Sequence, residues 1–135
     1  MSEPKENGYM LIFRGTDWHN GMSAEEAQQV TNGMMEWFKR LTDSGKATAG
    51  APLEVEGKVL SGKNGKVIVS DGPFLESKEA IGGFFMLQVG SMDEAVAIAK
   101  QCPGLAYGLR VEVRQLADEC PLHRALKAEA QLANT

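Results

Sequence analysis

The chain has 135 residues, 43% of them apolar and 24% charged, with 14 Lys plus Arg against 18 Asp plus Glu and a formal charge of −4. These proportions fit one folded domain with a sizeable core and exclude wholesale disorder. The longest uncharged run, residues 80–92, is interrupted by Gly82, Gly83 and Gly90 and falls short of the roughly 20 apolar residues of a membrane span. Net negative charge argues against direct nucleic-acid binding, which draws on clustered Lys and Arg; the one dense basic spot, Lys58, Lys63 and Lys66, surrounds a turn. Two cysteines, Cys102 and Cys120, are too few for a disulfide framework, so a reducing cytoplasm is expected.

Residues 1–8 are polar, lack the apolar stretch of a secretory signal and read as a disordered tail. Tyr9 to Phe13 is a short β-favouring run. After the polar loop from Arg14 to Met22, Ser23 with Glu26 three residues on forms a capping box. Ala27, Val30, Met34, Phe38 and Leu41 then recur at helical spacing, Trp37 widens the stripe, and Gly45 is placed to end the helix. Leu53 to Leu60 and Lys66 to Ser70 read as strands joined through Asn64-Gly65, a strong hairpin signal. Asp71-Gly72-Pro73 stops the second of them.

Phe84 to Val89 is a nearly continuous apolar strand. Ser91 and Glu94 repeat the capping box before a stripe of Ala95, Ile98, Ala99 and Cys102, which Pro103-Gly104 ends. Leu109, Val111 and Val113 alternate with charged residues as a half-buried strand. Residues 117–133 read as an Ala-rich helix with Pro121 in its first turn.

The order is therefore βαβ, a central hairpin, then βαβ. It predicts an α+β fold of the ferredoxin-like βαββαβ type with an added central hairpin, both helices on one face of an antiparallel sheet. The first strand is apolar on both faces, and so is residues 84–89 apart from Gln88. A solvated face would alternate with polar residues, so something must cover it. A second subunit, the terminal helix, or both would serve; a two-fold homodimer is the commonest closed solution.

The segment from Val69 through Asp71-Gly72-Pro73-Phe74 to Glu79, followed by Ile81-Gly82-Gly83-Phe84-Phe85, resembles the DGPF motif of the YCII-related proteins. The likeness continues through Asp93-Glu94-Ala95 and Cys102-Pro103-Gly104 to Val111-Glu112-Val113-Arg114, and takes in Tyr9-Met10-Leu11-Ile12. It implies a ferredoxin-like subunit that pairs into a dimeric α+β barrel. Some relatives carry a His–Asp pair thought to be catalytic; Asp43 matches the acid, and Met34 stands nearest the histidine's position. The expected division is a tail over 1–8, the domain over 9–116 and a helical extension over 117–135.

Asp71 is the carboxylate of most interest, either as a general base or ligand anchor at a cleft mouth or as a turn former. Phe74, Glu76 and Lys78 follow it as candidate ligand contacts, with a solvated loop as the plainer reading. Arg14, Trp18 and His19 gather in the loop after the first strand; His19 is either a site residue or a stray surface histidine, and Trp18 is a stacking platform or a lid on the core. Gly57 to Lys63 imitates a phosphate loop, but Asn64 replaces the required Ser or Thr. No Cys/His spacing suggests a metal, and no cofactor is expected. The sequence thus points to a small-molecule binding or regulatory module. The alternative is a cofactor-free isomerase or lyase using Asp71 with His19 or Arg14.

Overall fold

A computed structural model describes residues 8–72 and 80–133. The elements are β1 (Tyr9–Arg14), α1 (Ala24–Asp43), β2 (Ala47–Pro52), β3 (Lys58–Lys63), β4 (Lys66–Asp71), β5 (Ile81–Leu87), α2 (Met92–Ala99), a 3-10 turn (Pro103–Tyr107), β6 (Arg110–Gln115) and α3 (Pro121–Ala133). One antiparallel sheet has the order β2-β5-β1-β6, and β3 pairs with β4 in a separate two-stranded hairpin. The chain is thus mixed α+β with antiparallel sheets.

The serine half of each capping box forms. Ser23 Oγ accepts from the Glu26 amide at 3.1 Å, and Ser91 Oγ accepts from the Glu94 amide at 3.1 Å, each satisfying an orphan donor of a first helical turn. Gly45 ends α1 at φ +77°, a left-handed conformation in which a Cβ would be strained. Asn64 and Gly65, at φ 52° and 78°, make the tight turn between β3 and β4.

Tyr9, Leu11 and Phe13 of β1 are buried with Phe85 and Leu87 of β5, against Trp37 and Leu41 of α1 and Ala95, Ile98 and Ala99 of α2. Both helices therefore lie on this one face. Trp37, expected at the margin of the α1 stripe, is at its centre with 0% exposure. Its ring lies 5.1 Å from that of Phe85, and Phe85 also meets Phe13 at 4.8 Å and Phe38 at 4.6 Å. Trp37 Nε1 donates to Gln101 Oε1 at 3.2 Å, so the buried indole keeps a polar partner.

The alternate residues of the inner strands face the other way. Met10 pairs with Met86 and Ile12 with Phe84, and all four are only partly buried. No residue of α3 is buried, so the terminal helix does not cover this face within the chain.

Three expectations need correction. The predicted strand over 53–60 is two pieces, with β2 ending at Pro52 and β3 beginning at Lys58. Ala47 to Pro52 is poor in β-favouring residues, yet it pairs along β5 because its small side chains admit the aromatic cluster beneath. A Cβ on Gly50 would stand 2.7 Å from Phe38 Cε1 and 2.8 Å from Phe85 Cδ1. Helix α3 begins at Pro121, not 117. Gly8 is not part of a loose tail, because its carbonyl accepts from the Leu116 amide at 2.8 Å; residues 1–7 lie outside the described residues.

Gly50→Ala is expected to destabilise the fold by about 1–3 kcal/mol through overpacking. Urea denaturation measures it, and an unchanged midpoint would contradict the close approach of α1 to β2.

Candidate functional site

Pro52 has no amide hydrogen to continue the β2–β5 ladder, and the chain leaves the sheet there. Three backbone hydrogen bonds then gather separate segments at this corner. Leu53 N–H donates to Gly82 O at 2.9 Å, Gly72 N–H to Gly57 O at 3.1 Å, and Gly15 N–H to Ala80 O at 3.2 Å. Between them opens a cleft of about 420 Å³, within the usual span of small-molecule sites. Leu53, Val55 and Ile81 supply apolar wall, and Glu54, Glu56 and Lys58 supply charge. Thr16 lines it from the loop after β1, and Gly72 from the end of the hairpin. Gly57 lies so near Gly72 that a Cβ there would stand 3.0 Å from the Gly72 carbonyl oxygen.

Of the anticipated residues that are described, Arg14, Trp18, His19 and Asp71, none lines this cleft. Asp71 adjoins Gly72 but is itself exposed (80% of its side chain) and paired with Lys58 in the first ladder pair of the hairpin. His19 is exposed, its ring 5.5 Å from that of Trp18, and Trp18 packs partly buried against the core. Both belong to the loop that carries Thr16. Phe74, Glu76 and Lys78 lie outside the described residues. Asp43 pairs with Lys39 at 2.8 Å on the exposed end of α1, and Met34 Sδ lies 3.5 Å from Cys102 Sγ. Burial pushes the Cys102 thiol pKa up, against the opposing pull of the Gly104 and Leu105 backbone, as suits a small core residue.

Arg14 points to the open face of the sheet. Its Nε donates to Glu112 Oε1 at 2.7 Å, and Arg114 donates to Glu112 Oε2 at 3.1 Å. These two guanidinium groups, Arg14 foremost, hold the Glu112 carboxyl below the usual carboxylate range. Among the described residues, then, the contacts join Asp71 to Lys58, Arg14 to Glu112 and His19 to Trp18. The cleft-lining Glu54 and Glu56 were missed in the sequence. The alternation Leu53-Glu54-Val55-Glu56 between Pro52 and Gly57 was their one signal, and it reads equally well as a strand.

Among the described residues, no group of three or more His, Cys, Asp or Glu is placed to hold a metal ion, and no helix is long and apolar enough to cross a membrane.

A depressed carboxylate pKa stabilises the fold above the ordinary glutamate range, and that contribution is lost as pH falls through the folded value. NMR titration of the Glu112 side chain is expected to give a midpoint below that of a free glutamate, and Arg14→Gln to raise it. A midpoint unmoved by the substitution would contradict the pairing.

Comparison with known proteins agrees with this architecture's span. An uncharacterized protein of Rhizobium meliloti (strain 1021) is 32% identical over 93 residues, covering 67% of this chain and 75% of its own. The YCII-related domain matches residues 9–119, from the first residue of β1 to just before α3, and the chain belongs to that family.

Proposed function

We propose that the protein is a small-molecule binding or regulatory module whose ligand enters the cleft between Leu53, Val55 and Ile81. The cleft itself carries this reading, because it has volume, apolar wall and a few charged groups where four separate segments meet. Asp71 and Lys58 stand at its hairpin side, and Trp18 and His19 on the loop beside Thr16. Phe74, Glu76 and Lys78 complete the proposed contacts from the DGPF segment. Arg14 acts from the end of β1, where it also orders Glu112. The cofactor-free isomerase or lyase alternative needs Asp71 to exchange Lys58 for a substrate proton within about 3 Å, and an ion-paired, exposed carboxylate favours binding over that chemistry.

The subunit is ferredoxin-like in this reading. The order β2-β5-β1-β6, with α1 and α2 on one face, is supported as two interlocked βαβ halves, and the β3–β4 hairpin as an insertion between them. The partly exposed Met10, Ile12, Phe84 and Met86 support a homodimer closed over the open face as an α+β barrel. The free Cys102 and Cys120 support a reducing, cytoplasmic setting.

A ligand that occupies the cleft at 100 times its dissociation constant stabilises the fold by about 2.7 kcal/mol. Thermal-shift screening of a broad metabolite library is expected to yield compounds that raise the melting temperature of the wild type but not of Ile81→Trp, in which the indole fills the cleft. A library without hits, or shifts that persist in Ile81→Trp, would contradict the reading.

A further inference from the structure

Among the described residues, three charged side chains line the cleft, Glu54, Glu56 and Lys58, and they do not balance. Lys58 is the ladder partner of Asp71 and donates to its carboxylate, so its charge is already answered by a residue outside the lining. Glu54 and Glu56 are exposed, and their side chains have no ion-pair or hydrogen-bond partner among the described residues. The cleft therefore sets two uncompensated negative charges beside the apolar wall of Leu53, Val55 and Ile81.

The hydrogen-bonding groups of the corner lean the same way. The amides of Gly15, Leu53 and Gly72 each donate to a carbonyl across it, at 3.2, 2.9 and 3.1 Å. Those N–H groups hold the segments together and are not free to turn to an anion, whereas the carboxylate oxygens of Glu54 and Glu56 remain as acceptors. A neutral apolar guest would strip water from these carboxylates and return nothing, and an anion would add repulsion. An ammonium group returns charge-assisted hydrogen bonds, while its hydrocarbon body covers Leu53, Val55 and Ile81.

A bare metal ion fits the same charges less well. Hard divalent ions gather about six or more oxygen ligands, and among the described residues no group of three or more His, Cys, Asp or Glu is placed to supply them. The formal charge of −4 on the whole chain also draws cations toward the molecule.

We infer that the cleft selects a small organic cation, an amine protonated at neutral pH on a hydrocarbon body, with Glu54 and Glu56 as the selecting groups. The inference rests on the ligand site proposed above and narrows it to one charge class.

Three compounds that share one body and differ in the head test it, namely cyclohexylmethylamine, cyclohexylmethanol and cyclohexanecarboxylate. Each is titrated into the full chain carrying isotope-labelled isoleucine and valine methyls, and the dissociation constant is read at Ile81 and Val55. The amine is expected to bind at least about fivefold tighter than the alcohol, with the carboxylate weakest and the amine's advantage shrinking as salt is added. Combined Glu54→Gln and Glu56→Gln is expected to level the amine with the alcohol; both side chains are exposed, so the core methyl spectrum is expected to match the wild type. Glu129→Gln, which removes a carboxylate from α3 instead, is expected to keep the order of affinities. Equal binding of the three compounds, a preference for the carboxylate, or an amine preference that survives the double substitution would overturn the charge selection and leave the ligand cleft standing. An amine preference that weakens to the same degree in Glu129→Gln would overturn it too, by assigning the effect to the net charge of the chain. No methyl shift at Ile81 or Val55 with any of the three would overturn the inference and count against the cleft with it.

Discussion

The stacking of Phe85 against Phe13, Trp37 and Phe38 decides which side of the sheet is inside. Once that aromatic cluster is buried beneath α1, the two-residue period of the strands turns Met10, Ile12, Phe84 and Met86 outward. The aromatic cluster and the glycine beside it are complementary. Gly50 gives the rings of Phe38 and Phe85 their room, and that close approach holds an otherwise weak edge strand against β5. Gly83 does the same from the facing strand, where a Cβ would stand 2.9 Å from the Ala51 carbonyl oxygen.

The cleft follows from how β2 ends. An edge strand that stops at proline must send its chain off the sheet, and Leu53, Gly57 and Gly72 redirect it through backbone hydrogen bonds instead of side-chain packing. Walls built this way are narrow in sequence but draw on four segments. Such a corner serves a ligand site well, because side chains along residues 53–58 vary without disturbing the core. The same departure launches the β3–β4 hairpin clear of the domain, which leaves its apolar side exposed.

Much of this architecture was legible in the sequence, for local reasons. Ser23 with Glu26, Ser91 with Glu94, and Asn64-Gly65 are short-range signals whose hydrogen bonds or dihedral angles lie within a few residues, and all formed as expected. Strand β2 was not legible, because Ala47 to Pro52 carries almost no β-favouring residue and is held by long-range pairing alone. The site was less legible still. Asp71 stood out through its Gly-Pro context, yet only the hairpin register gives it Lys58 as a partner. Likewise Arg14 meets Glu112 because β1 and β6 lie side by side, 98 positions apart in the chain. The cleft depends on convergence of segments, which no local pattern records.

That the outward face of the sheet is covered by a second copy is the central claim, and the methionines report on it directly. Met10 and Met86 sit opposite each other on that face, and Met35 on α1, 65% exposed, is an internal reference. With methyl-labelled methionine and a soluble paramagnetic agent, the account predicts that Met10 and Met86 are shielded at high protein concentration while Met35 relaxes fast. Met10 and Met86 methyls relaxing as fast as that of Met35 at every concentration would contradict it.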